Sequence, residues 1–200
     1  FWRPVSVGDL VWDDADDDGM HDVGEAGIPN VPVKLFQADG TTEVEVGPDG
    51  VLGTPDDAPG GIVTAANGTY SFTNLRPATY RVQVTVPAGW RTSSVADAGD
   101  ANDDTDHDNN GGARATGDVL AGHVDLGVGT EPVNDGDSDA SSNLSVDVGL
   151  FQPRPDLAIL KATNGCDADT ATGASGPSGG CPPGDGLSNP IVPTGGSVTW

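Results

Sequence analysis

Short runs of alternating apolar and polar residues recur along the chain and predict β-strands. The run at 79–86 is the clearest, because its Tyr and Val side chains share one face while its Arg, Gln and Thr side chains share the other. Helical periodicity over ten or more residues occurs nowhere in the sequence. The pattern therefore predicts an all-β fold, a sandwich in which each sheet buries one face. Further strands are predicted at 5–12, 31–37, 41–46, 61–65, 69–73, 117–128 and 143–150.

Segments rich in Gly, Pro, Asn and Asp separate these runs and indicate turns. We expect the run at 41–46 to pair with the run at 31–37 across the turn at 38–40. Ala66-Asn67-Gly68 is expected to join the two runs that flank it in a hairpin.

The charge balance of the chain is strongly acidic. Its 200 residues include 31 acidic and 8 basic ones, for a formal net charge of −23. This charge excludes nucleic-acid backbones and anionic membranes as binding partners. Many of the acidic residues fall in four short clusters, at 13–25, 49–57, 97–108 and 135–139. Such clustering is typical of ion sites, whereas a merely soluble surface spreads its charge.

No stretch of 18 apolar residues is present, so the sequence predicts no membrane span. The start of the chain lacks the basic and apolar pattern of a secretion signal. The last residues, 197–200, have the pattern of a strand that is cut short. We therefore expect a fragment of a longer polypeptide, whose missing signal says nothing about location.

The segment at 14–25 fits the calcium-loop template D-x-[DN]-x-[DN]-G-x5-E at every specified position. Calcium prefers six to eight oxygen ligands, and Gly19 allows the sharp bend that folds the chain around the ion. The alternative is a solvated acidic turn. The expected ligands are the carboxylates of Asp14, Asp16 and Asp18, the carbonyl of Met20, Asp22 directly or through water, and both oxygens of Glu25.

The segments that flank this loop do not resemble the helices of an EF-hand. Val-rich sequence precedes it, and two prolines with three valines at 28–36 favour a strand and forbid a helix interior. The sequence therefore predicts an EF-hand-type loop between two strands.

Several motifs follow one another in order around this loop. They are Gly8-Asp9-Leu10-Val11-Trp12, Gly27-Ile28-Pro29-Asn30-Val31-Pro32-Val33, Gly68-Thr69-Tyr70-Ser71-Phe72-Thr73-Asn74-Leu75, Tyr80-Arg81-Val82, Pro87-Ala88-Gly89-Trp90, the acidic run at 97–110 and Asn143-Leu144-Ser145-Val146-Asp147-Val148-Gly149-Leu150. Together they resemble the SdrD B-like domain, the calcium-binding B repeat of serine-aspartate-repeat surface proteins, over roughly residues 5–151.

The resemblance implies an Ig-like, Cna B-type β-sandwich with long acidic calcium-binding loops. It implies a bacterial protein that is extracellular, either on the cell surface or secreted. Its repeats would form a stalk, an adhesin or a surface filament, in which calcium ions rigidify the loops and the junctions with neighbouring repeats.

Two further acidic segments are candidates for calcium. The resemblance places metal ligands in the run at 97–110, where Asp104, Asp106 and Asp108 best match the Asp-x-Asp element of the family. His107 within that run is expected to be solvated or to lie behind the ligands. Alternating carboxylates recur in a third segment, at Asp135, Asp137 and Asp139.

The acidic loop at 49–57 leaves two interpretations open. Asp49, Asp56 and Asp57 offer carboxylates for an ion, but their spacing fits no standard template. A solvated hairpin tip is the alternative.

The chain divides into a domain at 1–152, a Pro-rich linker at 153–155 and the truncated start of a second Ig-like repeat at 156–200. The first strands of that repeat are expected at 156–161 and 195–200. Cys166 and Cys181 bracket a Gly-rich loop, and in an oxidising exterior we expect them to form a disulfide.

Two other classes of function are alternatives to a structural repeat. A ligand- or carbohydrate-binding adhesin module would use exposed aromatic residues such as Trp2, Trp12 or Trp90. An enzyme is not predicted, because the G-x-S-x-G match at 176–180 lies in a Gly/Ser/Pro loop and not in a strand-turn-helix context. A Lys–Asn isopeptide crosslink of the Cna B type would need a buried Lys34, which alternates with apolar neighbours and is expected to face solvent.

Overall fold

The computed structural model describes residues 1–96, 107–114 and 117–153. Every regular element in these ranges is a β-strand, so the all-β prediction is confirmed. The strands are β1 Val5–Asp13, β2 Pro32–Gln37, β3 Ile62–Val63, β4 Thr69–Leu75, β5 Ala78–Val84, β6 Arg91–Thr92, β7 Gly111–Ala113, β8 Val119–Ala121, β9 Val124–Leu126, β10 Ser142–Asn143 and β11 Val148–Phe151.

The strands form two sheets. In the first, the order is β10-β1-β11-β6, and β4 also pairs with β1. In the second, the order is β3-β2-β5-β8-β7, and β9 also pairs with β5. β1 runs parallel to β10 and to β11 and antiparallel to β4, so the first and last strands of the described unit lie side by side.

One hydrophobic core lies between the two sheets, as expected of a sandwich. The alternation predicted for the run at 79–86 is observed, because Tyr80, Val82 and Val84 of β5 are buried. Val7 and Val11 of β1 are fully buried and contribute from the other sheet.

The hairpin predicted around Ala66-Asn67-Gly68 does not extend beyond its turn. The turn itself forms, with the Ala65 amide donating to the Thr69 carbonyl at 2.8 Å. However, β3 pairs with β2 and β4 pairs with β1, so this turn carries the chain from one sheet to the other. At this turn the chain lies close to the first sheet: the Val11 amide donates to the Gly68 carbonyl at 3.0 Å, and a Cβ on Gly68 would lie 2.5 Å from the Val11 carbonyl oxygen.

The segment at 41–46 pairs with β2 over a shorter stretch than predicted. A single bridge joins Phe36 and Glu43, and the Val44 amide donates to the Leu35 carbonyl at 2.8 Å. Val44 and Val46 are nevertheless buried, so the apolar positions of this segment were identified correctly.

The described residues belong to one compact unit, Phe1–Arg154. The second repeat, most of the linker, and Cys166 and Cys181 lie outside the described residues, so their predictions stay predictions. Within the described part of the chain, no helix has the length and apolarity needed to span a membrane.

Candidate metal centre

The loop at 14–25 begins where β1 ends and brings three carboxylates together. One oxygen from each of Asp14, Asp16 and Asp18 lies within 4.8 Å of the other two. Asp14 is fully buried, whereas the other two are exposed. Alternation along the loop thus directs three of the predicted ligands toward one place at the surface.

Asp14 is the residue around which the loop folds. Its Oδ1 accepts the Asp18 amide at 3.1 Å, and its Oδ2 accepts the Gly19 amide at 3.0 Å and the Ser93 hydroxyl. Gly19 has a φ of +80°, and a Cβ at this position would lie 2.8 Å from the Val95 carbonyl oxygen. Glycine is therefore required here by both the bend and the close approach.

The remaining predicted ligands lie around this group. Glu25 turns back to the start of the loop, where its Oε1 accepts the Ala15 amide at 2.7 Å and its Oε2 accepts the Asp22 amide at 3.0 Å. The Met20 amide donates to Asp18 Oδ1 at 2.8 Å, and the Asp22 side chain is exposed. Both oxygens of Glu25 thus accept hydrogen bonds that link the start of the loop to its end.

Asp17 connects the loop to the segment after β6 and is not among the predicted ligands. It accepts the Ser94 amide at 2.5 Å and the Ser94 hydroxyl at 2.6 Å, with Ser93 Oγ at 3.2 Å. Burial alone would raise the pKa of Asp17, but these hydrogen bonds outweigh it, so its pKa lies below the ordinary value.

The second acidic run meets the loop directly. Asp104 and Asp106 lie outside the described residues, but Asp108 is buried and forms an antiparallel bridge with Met20. The Asn110 amide group donates to Asp108 Oδ1 at 3.1 Å. Nothing in the local pattern of the two runs predicts this pairing, because the paired residues are far apart in the chain.

Two histidines, one from each run, also come together. The His21 amide donates to the His107 carbonyl at 2.8 Å, and the two rings lie 5.3 Å apart between centroids. The His21 ring packs edge-on against the buried Trp12 at 5.8 Å. The third histidine, His123, lies elsewhere, with Nε2 3.0 Å from the Ala38 carbonyl oxygen.

No basic side chain of the described residues neutralises the loop. Among the described residues the single ion pair joins Lys34 Nζ to Glu43 at 3.0 Å, in the other sheet. The loop therefore presents oxygen ligands without a counter-charge, which is a donor set that suits a hard divalent cation such as Ca²⁺. The side chain of Lys34 is 31% exposed rather than buried.

The loop at 49–57 shows a different arrangement. Asp49 accepts the amide of the residue two positions ahead at 2.9 Å, and Asp57 accepts the amides of Gly53 and Thr54 at 2.8 and 3.2 Å. These are hydrogen bonds of ordinary acidic turns. The geometry favours the solvated turn over an ion site.

The third acidic segment, between β9 and β10, contains two buried carboxylates, Asp135 and Glu131. Glu131 was not among the residues predicted from the sequence. Asp135 is buried, whereas Asp137 and Asp139 accept the amides two residues ahead of each, at 2.7 and 3.0 Å. Glu131 is buried as well and accepts the Asn143 side-chain amide at 3.0 Å. The only signal for Glu131 in the sequence is its position ahead of the Asp cluster.

The three tryptophans in the described ranges do not form an exposed platform. Trp12 is fully buried, and Trp90 packs in part against the core. Trp2 is 43% exposed, with Arg76 at 5.6 Å from its ring centroid. Of the three residues named for an adhesin surface, one is therefore available to solvent as a substantial aromatic face.

Comparison with known proteins gives several relatives. Serine-aspartate repeat-containing protein D of Staphylococcus aureus (strain Newman) is 34% identical over 112 residues, 56% of this chain and 7% of that protein. Serine-aspartate repeat-containing protein F of Staphylococcus epidermidis is 29% identical over 175 residues, 86% of this chain and 8% of that protein. The chain thus spans less than a tenth of the length of either relative.

Among solved structures, GBS52, the minor pilin of Streptococcus agalactiae, aligns with a TM-score of 0.45 and 13% identity, over 78% of this chain and 48% of that one. The family model of the SdrD B-like domain matches residues 5–131, more than half of the chain. The chain therefore belongs to the SdrD B-like domain family.

Proposed function

We propose that this chain is a structural repeat of an extracellular bacterial surface protein, and that its loop at 14–25 binds calcium. The observation that carries the proposal is the group formed by Asp14, Asp16 and Asp18, whose oxygens converge within 4.8 Å without a basic partner. Like charges this close repel one another, and a bound divalent cation supplies the positive charge that reverses this repulsion.

The residues of the loop have distinct roles in this proposal. Asp14 is fixed by its hydrogen bonds and presents a buried carboxylate at the base of the site. Asp16 and Asp18 close the site from the solvent side, and the Met20 carbonyl, Asp22 and Glu25 complete the oxygen set. Glu25 would exchange its present hydrogen bonds to backbone amides for this role.

The second acidic run extends the same region. Asp108 forms a bridge with Met20, so the second run meets the loop at this end of the sandwich. Asp104, Asp106 and Asp108 are its proposed ligands. An ion held by residues of both runs would fasten them together, in addition to the backbone hydrogen bond between His21 and His107.

The position of the loop supports a role in a stalk. β1 and β11 are parallel neighbours, with Asp13 opposite Leu150, and the Asp14 amide donates to the Leu150 carbonyl at 2.9 Å. The loop therefore lies beside the end of β11. A force that pulls on the two ends of the chain would load the β1–β11 hydrogen bonds together, and a calcium-filled loop would reinforce that end.

The partners in this proposal are calcium ions and neighbouring repeats of the same polypeptide or filament. Bound calcium would offset part of the net charge of −23. Extracellular modules bind calcium with Kd values of about 10⁻⁴–10⁻³ M, which suits a location outside the cell. The match to the SdrD B-like domain and the similarity to a serine-aspartate repeat-containing protein support a structural module rather than an enzyme.

Thermal melting of the chain in chelator and in millimolar calcium tests this proposal. Calcium is expected to raise the Tm of the parent chain by more than it raises the Tm of the double variant Asp16→Asn/Glu25→Gln, because the variant lacks the ion of the first loop. Asp49→Asn/Asp57→Asn is the matched control, because it removes two charges from an acidic loop that does not converge, and it should keep the full response. An equal Tm of the parent in chelator and calcium would contradict the proposal.

A further inference from the structure

Two histidines form a cross-strand pair where the two acidic runs meet. The antiparallel bridge between Met20 and Asp108 places His21 opposite His107, and the His21 amide donates to the His107 carbonyl at 2.8 Å. Residues opposite each other in an antiparallel pair project their side chains to the same side. The two imidazole rings accordingly lie 5.3 Å apart between centroids, inclined by 46°. The backbone thus brings two imidazoles from distant parts of the chain together.

Both histidines are held in place by β1 and its neighbours. His107 is exposed and has a φ of +70°, a conformation that residues other than glycine rarely adopt. Its amide donates to Oδ2 of the buried Asp147 at 2.9 Å, and Oδ1 of the same carboxylate accepts the Leu10 amide at 3.0 Å. The His21 ring packs edge-on against the buried Trp12 at 5.8 Å. A strained backbone that its surroundings hold in place is a feature of binding sites.

The spacing of the rings suits a single metal ion. A Zn–N bond is about 2.0–2.1 Å long, so two imidazoles on one tetrahedral ion have ring centroids roughly 5 Å apart. Imidazole nitrogen is a ligand that Zn²⁺, Cu²⁺ and Ni²⁺ prefer, whereas calcium takes oxygen. His21 is half-buried and His107 exposed, so water has access to the remaining coordination positions.

The histidine pair is distinct from the group of carboxylates in the loop. Within the described ranges, the residues that converge in a group of three or more metal-ligating side chains are Asp14, Asp16 and Asp18, and neither histidine belongs to that group. In the calcium-loop template, His21 lies between two ligand positions and is not a ligand itself. The pair therefore offers nitrogen ligands that the proposed calcium site does not use.

We infer that His21 and His107 bind a divalent transition-metal ion of the class represented by Zn²⁺, as a two-histidine site that water completes. The ion would link the loop at 14–25 to the second acidic run through side chains, beside the backbone hydrogen bond that already joins them. The net charge of −23 raises the local concentration of cations in general, and the imidazoles select among them. This site does not require calcium in the loop at 14–25.

Calorimetric titration of Zn²⁺ into the whole chain in millimolar calcium tests the inference. The titration uses a Cys166→Ser/Cys181→Ser parent, because thiolates also bind zinc. His21→Gln and His107→Gln are each expected to bind one zinc ion fewer than the parent. The double variant His21→Gln/His107→Gln should lose no more than either single variant, because both rings hold the same ion. His123→Gln is the matched control, since that histidine lies elsewhere, and it should keep the ion.

Asp16→Asn distinguishes this site from the proposed calcium site. The variant should retain the histidine-dependent zinc ion, even if it no longer binds calcium in the loop at 14–25. Histidine-dependent zinc binding in a chain that binds no calcium would contradict the proposed function and leave this inference standing. A zinc ion lost in Asp16→Asn but kept in both histidine variants would overturn the inference and assign the zinc to the carboxylates. Equal zinc binding in every variant, or none in the parent, would overturn it as well.

Melting temperatures in millimolar calcium give a second readout. Zinc should raise the Tm of the parent and of His123→Gln by more than it raises the Tm of His107→Gln. The exposed His107 decides the matter if His21→Gln, whose ring packs against Trp12, does not fold as judged by circular dichroism. A folded His107→Gln with the full zinc response of the parent would contradict the site.

Discussion

The loops at 14–25 and 49–57 are both acidic and both rich in turns, yet their carboxylates are used differently. In the loop at 49–57 each carboxylate accepts hydrogen bonds from its own loop, as Asp57 does from Gly53 and Thr54. In the loop at 14–25 three carboxylates converge, and Asp16 accepts no hydrogen bond from the described residues. Acidity alone therefore does not bring carboxylates together; what matters is spacing that directs several of them to one point.

The largest expected effect is at Asp14, which both anchors the loop and belongs to the group of three. Asp14→Ala leaves the Asp18 and Gly19 amides and the Ser93 hydroxyl without their acceptor. We expect a loss of about 1–3 kcal/mol in the free energy of unfolding even in chelator, because buried donors lose their partner. Urea denaturation measures this loss, and a parent-like midpoint in chelator would show that Asp14 is not an anchor.

Asp16→Asn separates ion binding from anchoring. The side chain is exposed, so the free energy of unfolding in chelator should change by no more than about 0.5 kcal/mol. In calcium the variant should lack the share of the parent's stabilisation that this site contributes, which is about 2.7 kcal/mol at a hundredfold excess over Kd. Denaturation in both conditions checks this, and a full calcium response in the variant would remove Asp16 from the site.

Asp57→Ala tests the loop at 49–57, where we expect no ion. It removes the acceptor of two backbone amides and is expected to cost about 1 kcal/mol. Because no ion is involved, the cost should be the same in chelator and in calcium. A cost that appears only in calcium would mean that the loop at 49–57 is also an ion site.

The smallest expected effect is at Asp39, in the exposed turn before the segment at 41–46. Hydrogen bonds from the Thr42 hydroxyl, the Thr42 amide and the Thr41 amide lower the pKa of Asp39 from 3.8 to about 2. Its contribution to stability is therefore complete above pH 4 and is lost as the pH falls through about 2. Asp39→Ala should lower the Tm slightly at pH 5, and the difference from the parent should shrink as the pH falls toward 2.

The sequence was sufficient where local pattern decides the structure. Tyr80, Val82 and Val84 alternate and are buried as predicted, and the spacing of Asp14, Asp16 and Asp18 was enough to expect that their carboxylates converge. Both features depend on residues a few positions apart, so the backbone period places their side chains directly.

The sequence was insufficient where distant segments pair. The turn at Ala66-Asn67-Gly68 has the residues of a hairpin, but whether its flanks join one sheet or two depends on β1 and β2. The bridge between Met20 and Asp108 likewise joins residues far apart in the chain. Glu131 has no local pattern at all, and its importance follows from burial beside Asn143.

Calorimetric titration of calcium into the chelator-stripped chain, with Asp14→Asn alongside, tests the central claim most directly. The account predicts saturable binding to the parent, and the loss of one ion in the variant while the other ions remain. Absence of binding heat in the parent, together with unchanged stability, would contradict it and would make the loop at 14–25 a solvated acidic turn like the loop at 49–57.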